Sequence, residues 1–158
     1  MREVVPERLW IGNTIDARDV TRVLGHGITA IVDLAIEELP IQFPRDVVYC
    51  RFPLIDGAGN QPAVLRAAIE TVASFITSGT ATLVACSAGM SRSPAIVAAA
   101  MATTERITLA DALGKLAAGQ PHDVSPSLLA GISKVQAQAG PATVQCSSTT
   151  LDTTHRQV

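Results

Sequence analysis

Lysine is almost missing from this chain of 158 residues: only Lys115 and Lys134 are present, and the formal charge is -2. A surface so poor in cations argues against nucleic acid or an acidic membrane as a partner. Affinity for a phosphate would have to come from a local site. Cysteine is scarce too. Cys50, Cys86 and Cys146 are odd in number and widely spread, which excludes a disulfide framework and matches no metal-ligand spacing. No metal or other cofactor is expected, and a reducing cytoplasm suits such thiols. The N-terminus has no apolar core of the secretion-signal type, and no apolar run approaches a membrane span. What is present is a chain 47% hydrophobic and 16% charged, enough for a sizeable core in one domain.

The most informative stretch is residues 81–103. An apolar run from Thr82 to Ala85 ends at Cys86, five small or unbranched residues follow, and after Arg92 the pair Ser93-Pro94 opens a second apolar run with helical period. This pattern predicts a strand, a tight loop and a helix, with the loop held at the carboxyl edge of a sheet, where open α/β sheets place their ligands. The amides of Ser87, Ala88, Gly89, Met90, Ser91 and Arg92 are positioned to form an anion-binding nest at the start of the helix. Gly89 relieves the backbone where a positive φ is needed. The planar guanidinium of Arg92 matches two oxygens of a phosphate, and helix terminus, amides and guanidinium together favour the thiolate of Cys86.

Along the rest of the chain, short strands are predicted at Glu3–Val5 and Leu9–Ile11, with a turn at Gly12-Asn13. Asp16 is expected to cap a single helix over Ala17–Leu24. Strands follow at Ile28–Leu34 and Val47–Phe52, then a glycine-bearing loop, Pro53–Asn60, that exposes Asp56. Gln61-Pro62 start a helix to about Thr77. Thr108 and Asp111 read as a cap and its third-position partner, and Ser125-Pro126 open a helix to about Gln138. The expected fold is α/β, a largely parallel mixed sheet of four to five strands flanked by helices with a helical C-terminal part. Residues 1–139 form the expected domain, and the Ser- and Thr-rich residues 140–158 are expected to be a disordered tail.

Cys86, five intervening residues, Arg92 and Ser93 resemble the Cys-x5-Arg-[Ser/Thr] signature of the cysteine-dependent protein phosphatases. Gly89 and the ending Ser91-Arg92-Ser93-Pro94 are most similar to the dual-specificity branch, as is the opening Leu9-Trp10-Ile11-Gly12-Asn13. The resemblance implies a fold like that of protein tyrosine phosphatases and hydrolysis of phosphate monoesters through a phosphocysteine, on phosphotyrosine and by extension on phosphoserine or phosphothreonine proteins or peptides. Cys86 would be the nucleophile, Arg92 and the loop amides the phosphate cradle, Asp56 the general acid and later base, and Ser93 the donor to the leaving thiolate. No metal takes part. The sequence is silent on oligomeric state.

The departure from the family pattern is Ala85, where a histidine usually precedes the nucleophile; weaker activity is expected from its loss. Two alternatives stand beside protein phosphatase activity. One is a phosphatase for a phosphoinositide, a phosphosugar or an RNA 5′ end, which the uncharged Ser87, Ala88, Met90 and Ser91 argue against. The other is a catalytically weak module that binds phosphorylated partners. Cys50 has core packing as its ordinary fate and a resolving thiol for Cys86 as its alternative. Asp33, within a strand, is expected to satisfy buried backbone groups, and Trp10 to be a core aromatic.

Overall fold

A computed structural model describes residues 1–118 and 122–138; the expected tail from residue 140 lies outside them. Five strands form one mixed sheet: β1 (Arg2–Val5), β2 (Leu9–Asn13), β3 (Ala30–Ala35), β4 (Val48–Leu54) and β5 (Thr82–Cys86), in the order β1-β2-β5-β3-β4. Only β1 runs antiparallel to its neighbour; the β2–β5, β5–β3 and β3–β4 pairs are parallel. β5 therefore occupies the centre, buried on both faces, as an unbroken apolar strand of a parallel sheet must be.

Helices cover the two faces. On one lie α3 (Pro62–Ser78), α4 (Arg92–Glu105), α5 (Leu109–Ala117) and α6 (Pro126–Gln138), joined with the sheet in the larger core cluster, which includes Leu9, Leu34, Leu65, Val84 and Ile96. The alanine-rich α4 is buried from Arg92 to Ala102, because its small side chains let α3, α5 and the sheet approach closely. The other face holds Trp10, Ile31, Leu83 and Ala85 with Ala17, Val23 and Ile28, so Trp10 is a core residue. None of the helices among the described residues is long and apolar enough to cross a membrane.

Local signals acted largely as expected. Pro62 begins α3 and Gly79 ends it in the left-handed conformation, while Thr108 and Asp111 form a reciprocal capping box for α5. One expectation is corrected. The single helix from Ala17 is two short ones, α1 (Thr14–Arg18) and α2 (Val20–Gly25), and Asp16 is not their cap. Asn13 caps α1, with Asp16 returning a bond to the Asn13 amide at 3.1 Å, and Asp19 caps α2. The break follows from Asp19, which ends one helix and starts the next.

The resolving-thiol alternative for Cys50 also fails on the sheet's register. Cys50 lies beside Val32, and Val32 beside Val84, so two strand spacings of about 4.8 Å each separate Cys50 from β5 before the step along it to Cys86. That exceeds the roughly 7 Å Cα separation a disulfide can bridge. Cys50 packs against the larger core, and burial pushes its thiol pKa up.

Candidate active site

Parallel strands bring four loops to one edge. β2 delivers Asn13 and α1, β3 the segment Ile36–Leu39, β4 the Asp56 loop, and β5 ends at Cys86 in the middle of them. The loop from Ser87 to Ser91 bends back over the sulfur, and the Gly89 amide donates to Cys86 Sγ at 3.3 Å. This bend is why residue 89 is glycine. Its φ is +74°, and a Cβ there would lie 2.9 Å from the carbonyl oxygen of Gly12 and 3.0 Å from its carbon. Cys86 is 2% exposed, and Thr14 fastens the loop from the other side, its amide donating to the Ser87 carbonyl at 3.3 Å.

Arg92, the first residue of α4, is 3% exposed and turns back to the loop. Counting its five N-H donors is instructive. Nη1 donates to Glu37 Oε2 at 2.6 Å and to the Leu54 carbonyl at 3.0 Å; Nη2 donates to Glu37 Oε1 at 2.5 Å and to Ser87 Oγ at 3.2 Å. Nε, also buried, is thus the one guanidinium nitrogen without a partner among the described residues. Burial alone would lower the guanidinium's pKa; the bonds to Glu37, and then the charges of Cys86, Glu37 and Asp56, outweigh it and hold the pKa above its ordinary value.

Glu37 is the residue that sequence reasoning missed. Its carboxylate grips Arg92 in fork-to-fork fashion and accepts from Ser87 Oγ at 2.5 Å. The bond to Arg92, opposed by desolvation and aided by Ser87, pulls its pKa from 4.5 down to about 2. Its segment is itself tied down: Arg51 Nη2 donates to the carbonyls of Ala35 and Glu38 at 3.1 and 2.6 Å, and Arg51 pairs with Asp33 at 3.4 Å. Asp33 accepts from the Ala35 amide at 3.0 Å and from the Tyr49 hydroxyl at 2.6 Å, so it satisfies buried donors as its strand position implied. Burial, followed by the Asp33 bond, raises the Tyr49 pKa to about 12. No local pattern marks Glu37; an acidic pair in a loop is ordinary surface, and its partner is 55 positions away.

Asp56 is exposed on its loop and reaches the cup: Oδ1 accepts from Ser91 Oγ at 2.5 Å, and the same hydroxyl accepts from the Ser125 amide at 3.2 Å. The side chain of Asn60 holds this loop closed, its oxygen accepting from the Ile55 amide at 2.8 Å and its nitrogen donating to the carbonyls of Ile55 and Gly57 at 2.9 and 3.0 Å. Ser93 is fully buried and its hydroxyl has no partner. Ala85 packs into the Trp10 cluster and offers the sulfur nothing. Ala88 and Met90 contribute backbone to the loop; Met90 is 41% exposed, and its carbonyl accepts from the Asp123 amide at 2.9 Å. Among the described residues no cluster of His, Cys, Asp and Glu is placed to hold a metal ion.

A sulfur at the end of a central parallel strand, with a glycine amide upon it and an arginine from the next helix, defines a cysteine-centred oxyanion cup. The chain belongs to the dual specificity phosphatase catalytic-domain family, whose model matches residues 9–138. It is 33% identical over 125 residues to human dual specificity protein phosphatase 15, an alignment that covers 77% of this chain and 41% of that protein. The fold is similar to that of human DUSP28 at a TM-score of 0.75 and 25% identity, over 87% of this chain and 99% of the other. A crystal structure of DUSP15 superposes with a TM-score of 0.68 at 27% identity, over 92% and 90% of the two chains. The chain spans less than half the length of the curated relatives it matches.

Proposed function

We propose that this protein removes phosphate from phosphotyrosine, and from phosphoserine or phosphothreonine, in proteins or peptides by way of a phosphocysteine. In the first step the Cys86 thiolate attacks phosphorus in line; the S-P bond forms, the P-O bond to the leaving group breaks, and Asp56 gives that oxygen its proton. The loop amides from Ser87 to Arg92 and the free Arg92 Nε-H take the equatorial oxygens as their charge grows. In the second step water attacks the phosphocysteine, Asp56 takes the water's proton, and the S-P bond breaks to release phosphate and the thiolate, to which the unpartnered Ser93 hydroxyl donates. Residues 1–139 form the catalytic unit, and a reducing compartment such as the cytoplasm keeps the thiol competent.

The observation that carries this reading is the bond between Asp56 and Ser91. A module that only bound phosphate would gain nothing from a carboxylate held at the rim of its anion site, where it repels the ligand unless protonated. An enzyme that must hand a proton to a leaving alkoxide needs one there. Turnover of a small aryl phosphate, compared between the natural protein, Cys86→Ser and Asp56→Asn, tests it. Cys86→Ser is expected to abolish turnover while retaining phosphopeptide affinity, and Asp56→Asn to lose about 100-fold or more in kcat for poor leaving groups; undiminished turnover in Cys86→Ser refutes the mechanism.

A further inference from the structure

Among the described residues seven large apolar side chains stand exposed; four of them belong to the loops around the cup and a fifth to α1. Ile15, Leu39, Ile36, Ile55 and Met90 are 80, 77, 48, 43 and 41% exposed. Each lies within two positions of a residue already fixed at the site or in the cup loop itself. Ile15 follows Thr14, which donates to the Ser87 carbonyl; Ile36 and Leu39 bracket Glu37; Ile55 precedes Asp56; Met90 is in the loop itself. Scattered apolar exposure is normal, but a ring of it about one functional centre marks a binding surface.

The charges nearby are few and mostly spent. Arg92 is neutralised by Glu37. Arg18, the sole arginine or lysine on the α1, Ile36–Leu39, Asp56 and cup loops apart from Arg92, pairs with Glu38 at 3.1 Å. Arg2 lines a cleft with Ala88, Gly89 and Met90 and donates to the neutral Leu116 carbonyl at 3.0 Å, which leaves its charge in place, while the Met1 ammonium in the same cleft pairs with Asp16. Two carboxylates, Asp56 and Asp123, remain exposed at the edge of the loop. A centre with so little spare positive charge draws scant affinity from Coulomb attraction, so the rest of the binding free energy has to come from burial of apolar surface.

We infer that the ring formed by Ile15, Ile36, Leu39, Ile55 and Met90 is a specificity surface for phosphopeptides carrying large aliphatic or aromatic residues next to the phosphorylated one and no acidic residues there. The inference rests on the phosphatase reading of the same cup. A phosphoinositide in an anionic bilayer fits poorly, since the rim offers that surface the exposed carboxylates of Asp56 and Asp123 and, in Arg2, a single cation without a carboxylate partner among the described residues.

The test uses two arms. In the first, kcat/KM is measured on phosphotyrosine peptides flanked by leucine or phenylalanine, by serine or glycine, or by glutamate, and on phosphoinositide in anionic vesicles. The apolar-flanked peptide is expected to lead the serine- or glycine-flanked one by about tenfold and the glutamate-flanked one by more. The double variant Ile15→Ser with Leu39→Ser is expected to erase that lead while turning over a small aryl phosphate within about twofold of the natural protein, since neither side chain touches the cup. In the second arm, fluorescence anisotropy of the same peptides on Cys86→Ser reads the preference from affinity alone. If aryl phosphate is not turned over, the hydrolase reading fails while the second arm still reports on the ring. Equal affinity for all flanks, a preference for glutamate, or vesicles as the best substrate overturns the inference.

Discussion

Removal of the Glu37 carboxylate is the perturbation that most directly separates two roles for it. Two anions compete for one guanidinium here: a permanent glutamate and a transient phosphate. If Glu37 is a clamp that holds Arg92 in its working rotamer, Glu37→Ala frees both Nη groups and activity falls. If Glu37 is a plug, the same change uncovers the site and activity rises. The structure favours the clamp, because Glu37 takes both Nη atoms and leaves Nε open. Bonds to charged groups contribute about 1.5–3 kcal/mol each. Glu37 is 48% exposed, so solvent screening reduces the pair to about 1–2 kcal/mol in total. Loss of up to that much transition-state stabilisation is about 5- to 30-fold in kcat/KM, and the melting temperature should drop by about 2–8 °C. Glu37→Gln, which keeps an acceptor, should lie between. The pH dependence has a definite sign. The folded pKa is depressed from 4.5 to about 2, so the stabilising term is present above pH 4.5 and is lost as pH falls toward 2. The difference in melting temperature between the natural protein and Glu37→Gln should therefore be smaller at pH 3 than at pH 7. A rise in kcat/KM in Glu37→Ala, or a gap between the two proteins that widens on acidification, refutes the clamp.

Asn60→Ala should loosen the loop that carries Asp56 without touching the cup. The expected loss in kcat is tens of fold for an alkyl phosphate, whose leaving group needs a proton, and less than about threefold for p-nitrophenyl phosphate; an equal loss on both would show a merely structural role. Gly89→Ala places a Cβ 2.9 Å from the backbone oxygen of Gly12 at a φ of +74°. Left-handed strain costs about 1–2 kcal/mol by itself, so the denaturant midpoint should fall and alkylation of Cys86 should change rate, with a variant identical in both measurements ruling out the tight approach.

The layers that could be read in advance were those with a local cause. The strand-loop-helix around Cys86 was legible because its apolar runs, its glycine and its proline sit side by side in the chain, and Thr108 with Asp111 announced a cap through their spacing of three. Asp56 was singled out by its match to the family's position on a glycine-bearing loop, and the structure brings that loop to Ser91. Asn13 was read as a turn residue, yet it is the last residue of β2 and the cap of α1, since strand pairing with Cys86 overrides the local turn preference. Glu37, Arg51 and Asn60 were invisible too. Glu37 and Arg51 act on groups brought near only by the sheet's order, whereas Asn60 acts within its own loop, on Ile55 and Gly57, through a bonding pattern that an asparagine in a glycine-bearing loop does not announce.

The placing of β5 between two strands made long before it has a bearing on how this chain comes off the ribosome. Until residues 82–86 emerge, β2 and β3 have no common neighbour and the nascent sheet is split in two halves with open edges. Threading the last strand into that gap joins the two halves and carries Cys86 to the edge where the other loops already end, so the site is assembled only after the whole sheet is.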